Sequence, residues 1–414
     1  MKTISVIGLG YIGLPTAVIA ALKDNRVHGY DINSEVIEKL QNKEIHIEEN
    51  GLHEALLEAT NKGNLTFSSE LKESDVYIIT VPTPTILDPE SDFPRPDLSY
   101  VKSAINMISE ILKPGDLIIL ESTSPVGTTE SLLGYIGELR PDLSLPNSEK
   151  EFNDISLAYC PERVMPGNII EELQSNVRII GGITKNCADA AADVYGTFVR
   201  SDCIKTSVRT AEMVKLTENA SRDVQIAFAN ELSLICDENE IDIWELIELA
   251  NLHPRVNILN PGPGVGGHCI AVDPWFIVSG SPENAKIISL ARQINDSKPD
   301  FVVNKVLSLV NKISKGKVLP NIACYGITFK ADIDDIRESP SLKIIEKLSY
   351  LFKGKLFVVD PHVTKLPSYI NNATLIDFEK VPENTEIHLL LVDHKEFLDA
   401  KPETGHIIDT RGIW

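Results

Sequence analysis

The chain has 414 residues, a length that suggests two or three domains of ordinary size. Hydrophobic residues make up 43% and charged residues 24%, as in folded globular proteins and unlike disordered or disulfide-framework chains. Asp and Glu outnumber Lys and Arg by 60 to 39, and the net charge of −21 disfavours binding to nucleic acid or to an anionic membrane. Small anionic ligands are not excluded, because backbone dipoles and a few placed cations act locally.

The six cysteines are scattered and include no C-x-x-C pair, a pattern that predicts reduced thiols and a cytoplasmic protein. Residues 3–22 carry no charge, and by hydropathy alone they could be a signal peptide or a membrane anchor. Three glycines and Pro15 interrupt this stretch in a way that a nucleotide-binding turn explains better. We therefore expect no membrane partner.

The start of the chain has the pattern of a dinucleotide-binding βαβ unit. A short β-branched run leads into Gly8-x-Gly10-x-x-Gly13 and then into helix-forming residues. Gly8 would permit the tight turn, Gly10 the approach of a pyrophosphate, and Gly13 close packing of helix on strand. A second strand ends at Asp31, an acid placed to accept a hydrogen bond from a ribose hydroxyl and so to favour NAD over NADP. The alternative is an ordinary βα turn that contains glycines.

Strand-like runs at 76–81 and 117–120 predict that a doubly wound parallel sheet continues beyond this unit. Thr83 and Thr123 follow the two runs and would lie at the carboxyl edge of the sheet, where ligands bind in this architecture. Alternatively, they could cap the helices that follow.

Residues 207–251 contain neither Gly nor Pro and predict a long helix that joins two domains or forms a subunit interface. Lys215 and Asn219 are four residues apart and share a helix face, with Arg222 near it one turn later. They could be part of a site or simply a solvated stripe.

A loop with little side-chain bulk follows at residues 260–269, with four glycines and two prolines. Such a loop would let a ligand lie against its backbone. Cys269 at its end could be a buried structural residue, a zinc ligand or a nucleophile. Because His268, Cys269 and Asp273 lack a recognised zinc spacing, we expect no metal. A thiolate, with Lys215 near developing negative charge and Asp273 for a proton or water, satisfies covalent catalysis.

The last hundred residues echo the first in their strand patterns, at 322–326 and 356–360, and suggest a second α/β domain of related topology. Lys330 and Arg337 lie in the turn between these runs. They could be surface charges or a phosphate clamp.

Taken together, the motifs resemble those of the nucleotide-sugar 6-dehydrogenase family, in the same order and over nearly the whole chain. Segments 252–258 and 268–276 are similar to the branch that oxidises UDP-N-acetylhexosamines. The motifs that carry the resemblance are Gly8-x-Gly10-x-x-Gly13, residues 121–127 (Glu-Ser-Thr-Ser-Pro-Val-Gly), residues 159–163 (Tyr-Cys-Pro-Glu-Arg), Lys215-x-x-x-Asn219, the glycine loop with Cys269 and Asp273, and residues 329–340.

The resemblance implies an α/β fold with two Rossmann-like doubly wound domains joined by a long central helix. The implied domains are an NAD-binding domain at 1–206, a helical dimerisation and catalytic domain at 207–305, and a UDP-sugar-binding domain at 306–414. It further implies a homodimer or a dimer-based oligomer, with Arg255 reaching into the partner subunit.

The implied reaction is the four-electron oxidation of the C6 hydroxyl of UDP-N-acetyl-D-mannosamine to a carboxylate, with two NADH formed per sugar. It would pass through a thiohemiacetal and a thioester on a cysteine. The implied catalytic roles are Cys269 as nucleophile, Lys215 and Asn219 as donors to the oxyanion, Glu162 and Asp273 for water or protons, and Thr123 near the reacting hydroxyl.

The resemblance also assigns binding residues. Those for NAD are Gly8, Gly10, Tyr11, Ile12, Gly13, Asp31, Thr83, Thr123 and Arg337. Those for the sugar nucleotide are Arg163, Val164, Lys215, Asn219, Arg222, His253, Arg255, Gly266 and Lys330. One departure concerns Pro166, which stands where the UDP-glucose branch has a second glutamate. The water-handling role of that glutamate would pass to Asp273 in this chain.

Three alternatives stay open at this point. The substrate could be the epimer UDP-N-acetyl-D-glucosamine, since the C2 centre is read by pocket shape. The enzyme could be a two-electron dehydrogenase of the β-hydroxyacid type, which shares the glycine turn and a Lys-x-x-x-Asn helix but needs no thiol. A non-enzymatic NAD-sensing module would have no need for a nucleophile, a lysine and an acid together.

Overall fold

A computed structural model describes residues 2–47, 49–87, 93–147, 153–164, 167–267, 269–314 and 318–414. Pro166 and His268, which entered the sequence argument, lie outside these ranges. The chain forms two compact units: the first comprises Met1–Glu218 and Trp275–Gly280, and the second comprises Asn219–Pro274 and Ser281–Trp414. The domain boundaries expected from the sequence, 1–206, 207–305 and 306–414, stay a prediction.

The first unit is built on an eight-stranded sheet. Its strands and those of a small separate hairpin (β5 and β6) are β1 (Thr3–Ile7), β2 (Arg26–Tyr30), β3 (Leu65–Ser68), β4 (Val76–Ile79), β5 (Thr85–Ile86), β6 (Arg95–Pro96), β7 (Leu117–Leu120), β8 (Ser156–Tyr159), β9 (Arg178–Gly182) and β10 (Cys203–Ser207). The order in the large sheet is β10-β9-β8-β7-β4-β1-β2-β3.

Helices cover both faces of this sheet, so its central strands are apolar on both sides. Along β1, Ile4 and Val6 pack into one core while Ile7 packs into the other, because side chains alternate along a strand. The helices between β1 and β10 in the chain are α1 (Gly13–Leu22), α2 (Ser34–Gln41), α3 (Leu52–Asn61), α4 (Ser99–Ile111), α5 (Thr128–Leu139), α6 (Ile169–Ser175) and α7 (Lys185–Tyr195).

The predicted doubly wound sheet is confirmed, with one difference in strand direction. Neighbouring strands are parallel except for β8 and β9, which pair antiparallel through Ala158 with Gly182 and Tyr159 with Gly181. Because a strand buried on both faces is an apolar run whichever way it points, the sequence pattern does not encode this reversal.

The remaining helices are α8 (Val208–Glu238), which passes from the first unit into the second, α9 (Ile243–Asn251), α10 (Asp273–Gly280), α11 (Lys286–Ser314) and α12 (Pro340–Leu351). The long helix expected over 207–251 is therefore two helices. Glu240 adopts a left-handed φ of 55°, and the Asp242 carboxylate accepts hydrogen bonds from the N–H groups of Trp244 and Glu245. This N-cap starts α9, as Asp does at many helix starts.

The second unit contains a five-stranded sheet that is parallel throughout, in the order β13-β12-β11-β14-β15. This confirms the predicted second α/β domain. Its strands are β11 (Asn321–Tyr325), β12 (Leu356–Val359), β13 (Thr374–Leu375), β14 (Thr385–Leu390) and β15 (His406–Asp409). On one face Ile322 and Cys324 pack with Val306 of α11 and Leu348 of α12. Among the described helices of both units, none combines the length and apolarity that crossing a bilayer requires.

Candidate active site

The glycine turn between β1 and α1 needs two of its three glycines for backbone reasons. Gly8 has a φ of 92° and donates from its N–H to the Tyr30 carbonyl at 2.9 Å. A Cβ on Gly13 would lie 1.8 Å from the Gly8 carbonyl oxygen and 2.4 Å from Thr80 Oγ1. A Cβ on Gly10 would meet no atom of the described residues within 4 Å. The surface of the turn at Gly10 is therefore open, as close approach of a pyrophosphate requires.

The start of α1 also suits an anion. Ile12 occupies the N-cap position, and none of the side chains that the structure describes caps this end of the helix. An uncapped helix N-terminus offers backbone donors and about half a positive charge. Together with the open face at Gly10, this arrangement fits the pyrophosphate of a dinucleotide.

Asp31 at the end of β2 holds the same turn in place. Its Oδ2 accepts from the Leu9 N–H at 2.8 Å, and its Oδ1 accepts from the Asn33 N–H at 2.9 Å. An ionised carboxylate has about four acceptor positions, so acceptor capacity remains for a ribose hydroxyl.

Sequence reasoning missed His46, whose Nε2 donates to the Leu9 carbonyl at 2.8 Å and whose pKa is lowered by burial.

Thr83 and Thr123 come together after β4 and β7, as expected from the sheet order. The Thr83 hydroxyl donates to the Thr123 carbonyl at 2.7 Å. Neither residue caps a helix, since the N-cap positions of α4 and α5 are Leu98 and Gly127. The capping alternative is therefore wrong.

Glu162 is a buried acid beside Lys215. Burial raises the pKa of Glu162, while the charges of Lys215 and Arg178 and the N–H groups of Val164 and Arg163 oppose that rise. Within the described residues its Oε1 is buried and has no hydrogen-bond partner. A carboxyl with a raised pKa and an unsatisfied oxygen suits a group that holds a water molecule or moves a proton.

Arg163, predicted to contact the substrate, is fixed within the first unit. Its Nε and Nη2 donate to the Glu218 carboxylate at 3.0 and 2.5 Å, and its Nη1 donates to the Val177 carbonyl at 3.0 Å. Val164 is partly buried and packs against the hydrophobic core. The substrate roles of both residues stay predictions.

A buried ion pair, Glu121 with Arg178, lies close enough to Glu162 for their charges to interact. Arg178 Nη1 donates to Glu121 Oε1 at 3.1 Å, and the guanidinium carbon is 5.1 Å from the centroid of the Tyr195 ring. Burial raises the pKa of Glu121 to about 7. Glu121 lies in a recognised motif, yet sequence reasoning gave it no role.

In the second unit, Cys269, Asp273 and Asn219 are brought together. Cys269 is exposed, which excludes the buried structural alternative, and its carbonyl accepts from the Asp273 N–H at 2.8 Å. Asp273 is 3% exposed and begins α10. The Asn219 side-chain amide donates to Asp273 Oδ2 at 2.5 Å. The thiol therefore lies on a turn whose next acid is aligned by an amide of α8.

The glycine loop before Cys269 is bare because it packs against other protein segments. A Cβ on Gly264 would lie 2.9 Å from Pro340 Cβ, and one on Gly266 would lie 2.7 Å from Phe329 Cβ and 2.8 Å from the Glu338 carbonyl. The Cβ side of these two glycines is filled by protein, so the expectation that a ligand lies against the backbone of this loop stays a prediction for its other side. A backbone contact from Gly266 to the substrate stays a prediction.

Sequence reasoning also missed a buried polar network that ties α8 to α11 and to this loop. Asn230 accepts from the Gly262 N–H at 2.9 Å and donates to Asn295 Oδ1 at 2.8 Å. Asp223 accepts from Asn295 at 2.8 Å and from Arg292 at 2.6 Å. Asp223 follows Asn219 by one helical turn, so this network holds the part of α8 that carries Asn219.

The other residues assigned by resemblance are on the surface of the unit that holds them. Arg337 donates from Nε and Nη2 to the Asp335 carboxylate, at 2.6 Å in the shortest contact. The exposed residues are Arg222, His253, Arg255, Lys330 and Arg337.

Comparison with known proteins decides the family. Three family models match the chain, namely the NAD binding, central and UDP binding domains of the UDP-glucose/GDP-mannose dehydrogenase family, over residues 2–199, 209–297 and 323–414. The chain belongs to this family. It is therefore an NAD-dependent oxidoreductase of UDP-sugars, as the resemblance implied.

Full-length relatives agree with this assignment. The chain is 49% identical to an NDP-N-acetyl-D-galactosaminuronic acid dehydrogenase of Ralstonia nicotianae, covering 100% of the chain and 96% of that protein. It is 49% identical to the UDP-N-acetyl-D-mannosamine dehydrogenase of Yersinia pestis, covering 100% and 99%. The solved UDP-D-ManNAc dehydrogenase of Pyrococcus horikoshii has a TM-score of 0.87 and 38% identity, covering 100% and 96%.

The glycine turn of this dehydrogenase gives a matched pair of tests. Gly13→Ala should lower the free energy of unfolding by about 3 kcal/mol, because the new methyl group overlaps the Gly8 carbonyl. Gly10→Ala should leave stability nearly unchanged and weaken NAD binding, because its methyl group fills the open face. Urea unfolding and NADH fluorescence titration measure the two effects. Normal NAD affinity in Gly10→Ala would contradict a cofactor site at this turn.

Proposed function

We propose that the protein oxidises the C6 hydroxyl of UDP-N-acetyl-D-mannosamine to the carboxylate, in a four-electron reaction that consumes two NAD. The observation that carries this proposal is the exposed Cys269 thiol on a turn aligned by Asp273 and Asn219. A two-electron alcohol dehydrogenase needs no nucleophile. A thiol in this setting is what the second oxidation stage, from aldehyde to acid, requires.

NAD held at the glycine turn supplies the acceptor for the electron pair removed at each stage. The chain's own residues do the rest. Cys269 Sγ forms a bond to C6 of the aldehyde, and the carbonyl oxygen becomes the oxyanion of a thiohemiacetal. After the second oxidation this adduct is a thioester. Water then attacks the C6 carbonyl, the C–S bond breaks, the sulfur leaves as thiolate, and the carboxylate is released.

Lys215 and Asn219 are the proposed oxyanion donors, one turn apart on α8. A donor of this kind is typically worth about 3–4 kcal/mol in the transition state. The Asn219 amide has two N–H groups, so its bond to Asp273 leaves one for the substrate. Lys215 lies beside Glu162, whose charge it partly balances.

Water handling is proposed for Glu162 and Asp273. Glu162 is supported by its raised pKa and its unsatisfied Oε1. Asp273 is supported by near-complete burial and by the short bond to Asn219, which aims its carboxylate. Thr123 is proposed to lie near the reacting hydroxyl, supported by its position after β7.

A homodimer or dimer-based oligomer is proposed for the active protein, with Arg255 contacting the partner subunit. This is supported by large apolar side chains exposed along α8, α9 and the segment after them. Those side chains are Phe228, Ile235, Leu249 and Leu252.

The test of substrate and stoichiometry is one assay with a panel of sugars. We expect two NADH per UDP-N-acetyl-D-mannosamine and a lower kcat/KM for UDP-N-acetyl-D-glucosamine and UDP-glucose. UDP-N-acetyl-D-galactosamine belongs in the panel because of the name of the Ralstonia relative. One NADH per sugar would favour the two-electron alternative, and a higher kcat/KM for another sugar would change the substrate but keep the mechanism.

A further inference from the structure

Four side chains that ligate metals in many proteins converge at one edge of the five-stranded sheet. Asp332 lies in the turn after β11, His362 follows β12, and His394 and Glu396 follow β14. One ligand atom from each of the four lies within 4.8 Å of the others. Strands β12, β11 and β14 are neighbours in this parallel sheet, so the cluster lies at its carboxyl edge, where doubly wound folds bind ligands.

Three of the distances between donor atoms are near those of a tetrahedral site. His362 Nε2 is 3.5 Å from Glu396 Oε2 and 3.9 Å from Asp332 Oδ1, and His394 Nδ1 is 3.9 Å from the same Asp332 oxygen. Ligands at the usual Zn–N and Zn–O bond lengths are about 3.3 Å apart in a tetrahedron. Because the four ligand atoms lie within 4.8 Å of one another, the widest pair would have to close by up to about 1.5 Å to complete a tetrahedron.

His394 has the environment of a supported metal ligand. Its Nδ1 accepts from the Asp332 N–H at 2.9 Å, so the proton of the neutral ring is on Nε2, which faces Asp360 Oδ2 at 3.3 Å. A histidine that contacts a carboxylate through its second nitrogen is the usual arrangement behind a metal site. His394 Nδ1 would bind an ion only after its hydrogen bond from the Asp332 N–H is broken. His362, Asp332 and Glu396 are therefore the ligands that would bind the ion first.

One further observation points to a ligand at this place. His362 Nε2 is buried and, among the described residues, has no hydrogen-bond partner, a state that buried polar nitrogens rarely keep. Asp332 has a left-handed φ of 61°, unusual for a residue other than glycine, and its Oδ1 accepts from the Lys395 N–H at 3.0 Å.

We propose that Asp332, His362, Glu396 and His394 form a binding site for a divalent transition-metal ion, of which Zn²⁺ fits the donor set best. Two imidazoles with two carboxylates suit zinc, whereas Mg²⁺ and Ca²⁺ take oxygen ligands. The ion would fix the turn that begins at Thr328 and carries Phe329, the residue packed against Gly266. The competing explanation is a protonated His362 that forms ion pairs with both carboxylates and binds no metal.

The test is a zinc titration of the full-length chain carrying Cys269→Ser, which removes the exposed thiol as a competing zinc ligand. We expect one Zn²⁺ per chain by calorimetry, and a Tm raised by roughly 5 °C at saturating zinc. His362→Gln and Glu396→Gln should each weaken zinc binding at least tenfold, with unchanged circular dichroism. His53→Gln and Glu403→Gln, which replace an exposed histidine and an exposed acid elsewhere, should bind zinc normally.

The outcomes separate the two explanations. If His362 only forms ion pairs, zinc will not raise the Tm, and His362→Gln will bind as little zinc as its parent. Binding that is equal in His362→Gln and in the parent would overturn the proposal, wherever the zinc then lies. None of these measurements depends on the oxidation of a sugar.

Discussion

Replacing Cys269 with serine should lower the rate of complete oxidation by at least about a thousandfold. Serine is a far weaker nucleophile at neutral pH and an ester is harder to form and cleave here than a thioester. The fold should be unaffected, because Cys269 is exposed and supports its turn through its backbone carbonyl, which accepts from the Asp273 N–H. The measurement is kcat for NADH formation, beside an NADH titration that should give an unchanged Kd.

The matched control is Cys203→Ser. Cys203 is a half-buried thiol on β10, with a pKa raised by burial, so little of it is thiolate. We expect near-normal kcat from this variant. A Cys269→Ser enzyme that still forms two NADH per sugar at the normal rate would exclude the thioester route, whereas one that forms a single NADH per sugar would place the thiol in the second stage alone.

The glycine turn was predictable from sequence because its constraints are local. Gly8 and Gly13 belong to the same short loop between β1 and α1. Their spacing alone therefore indicates the positive φ of Gly8 and the tight contact at Gly13. The loop before Cys269 has a similar composition but a different cause. A side chain at Gly264 or Gly266 would overlap Pro340 or Phe329, which are distant in sequence. Composition alone does not show whether glycines leave space for a ligand or for another segment of the chain.

The break between α8 and α9 shows a second limit. No Gly or Pro marks it, and Glu240 carries the left-handed conformation that usually selects glycine. The available signal was Asp242 followed by an apolar run, the ordinary N-cap pattern. The absence of Gly and Pro favours one continuous helix over that signal, where the structure has two.

Buried polar pairs were the least predictable part of the site. Asp223 with Arg292, and Glu121 with Arg178, each join residues far apart in the chain. Taken singly, such charges are read as surface residues, since most charged side chains are exposed. Only the fold shows that both members of each pair are buried next to predicted catalytic residues.

Arg178→Met should lower the free energy of unfolding by about 3–5 kcal/mol, the usual cost of removing one partner of a buried ion pair. Glu121 and Arg178 are both at most 3% exposed, and the bond at 3.1 Å is the one hydrogen bond that the described residues give the Glu121 carboxyl. Methionine fills most of the volume that the Arg178 side chain occupies beside Tyr195. The lower free energy of unfolding would therefore report the loss of the charge and not a cavity. Urea unfolding measures it.

The pH dependence of this loss follows from Glu121, whose pKa is raised by burial to about 7 from 4.5. Between these two values the folded protein binds more protons at Glu121 than the unfolded chain, so this residue makes stability fall as pH rises. Without Arg178 the pKa of Glu121 in the folded protein rises further, so the free energy of unfolding keeps falling above pH 7. Arg178→Met should therefore be more destabilising at pH 8 than at pH 6.

Two variants separate this explanation from a simple packing defect. Adding Glu121→Gln to Arg178→Met removes the ionisable carboxyl, and should restore part of the stability and flatten its dependence on pH between about 4.5 and 8. Arg209→Met breaks an exposed pair with Glu130, and should cost less than about 1 kcal/mol because water screens both charges. Equal losses from Arg178→Met and Arg209→Met, or a loss that the added Glu121→Gln does not reduce, would mean that Glu121 is not held in its buried position by the charge of Arg178.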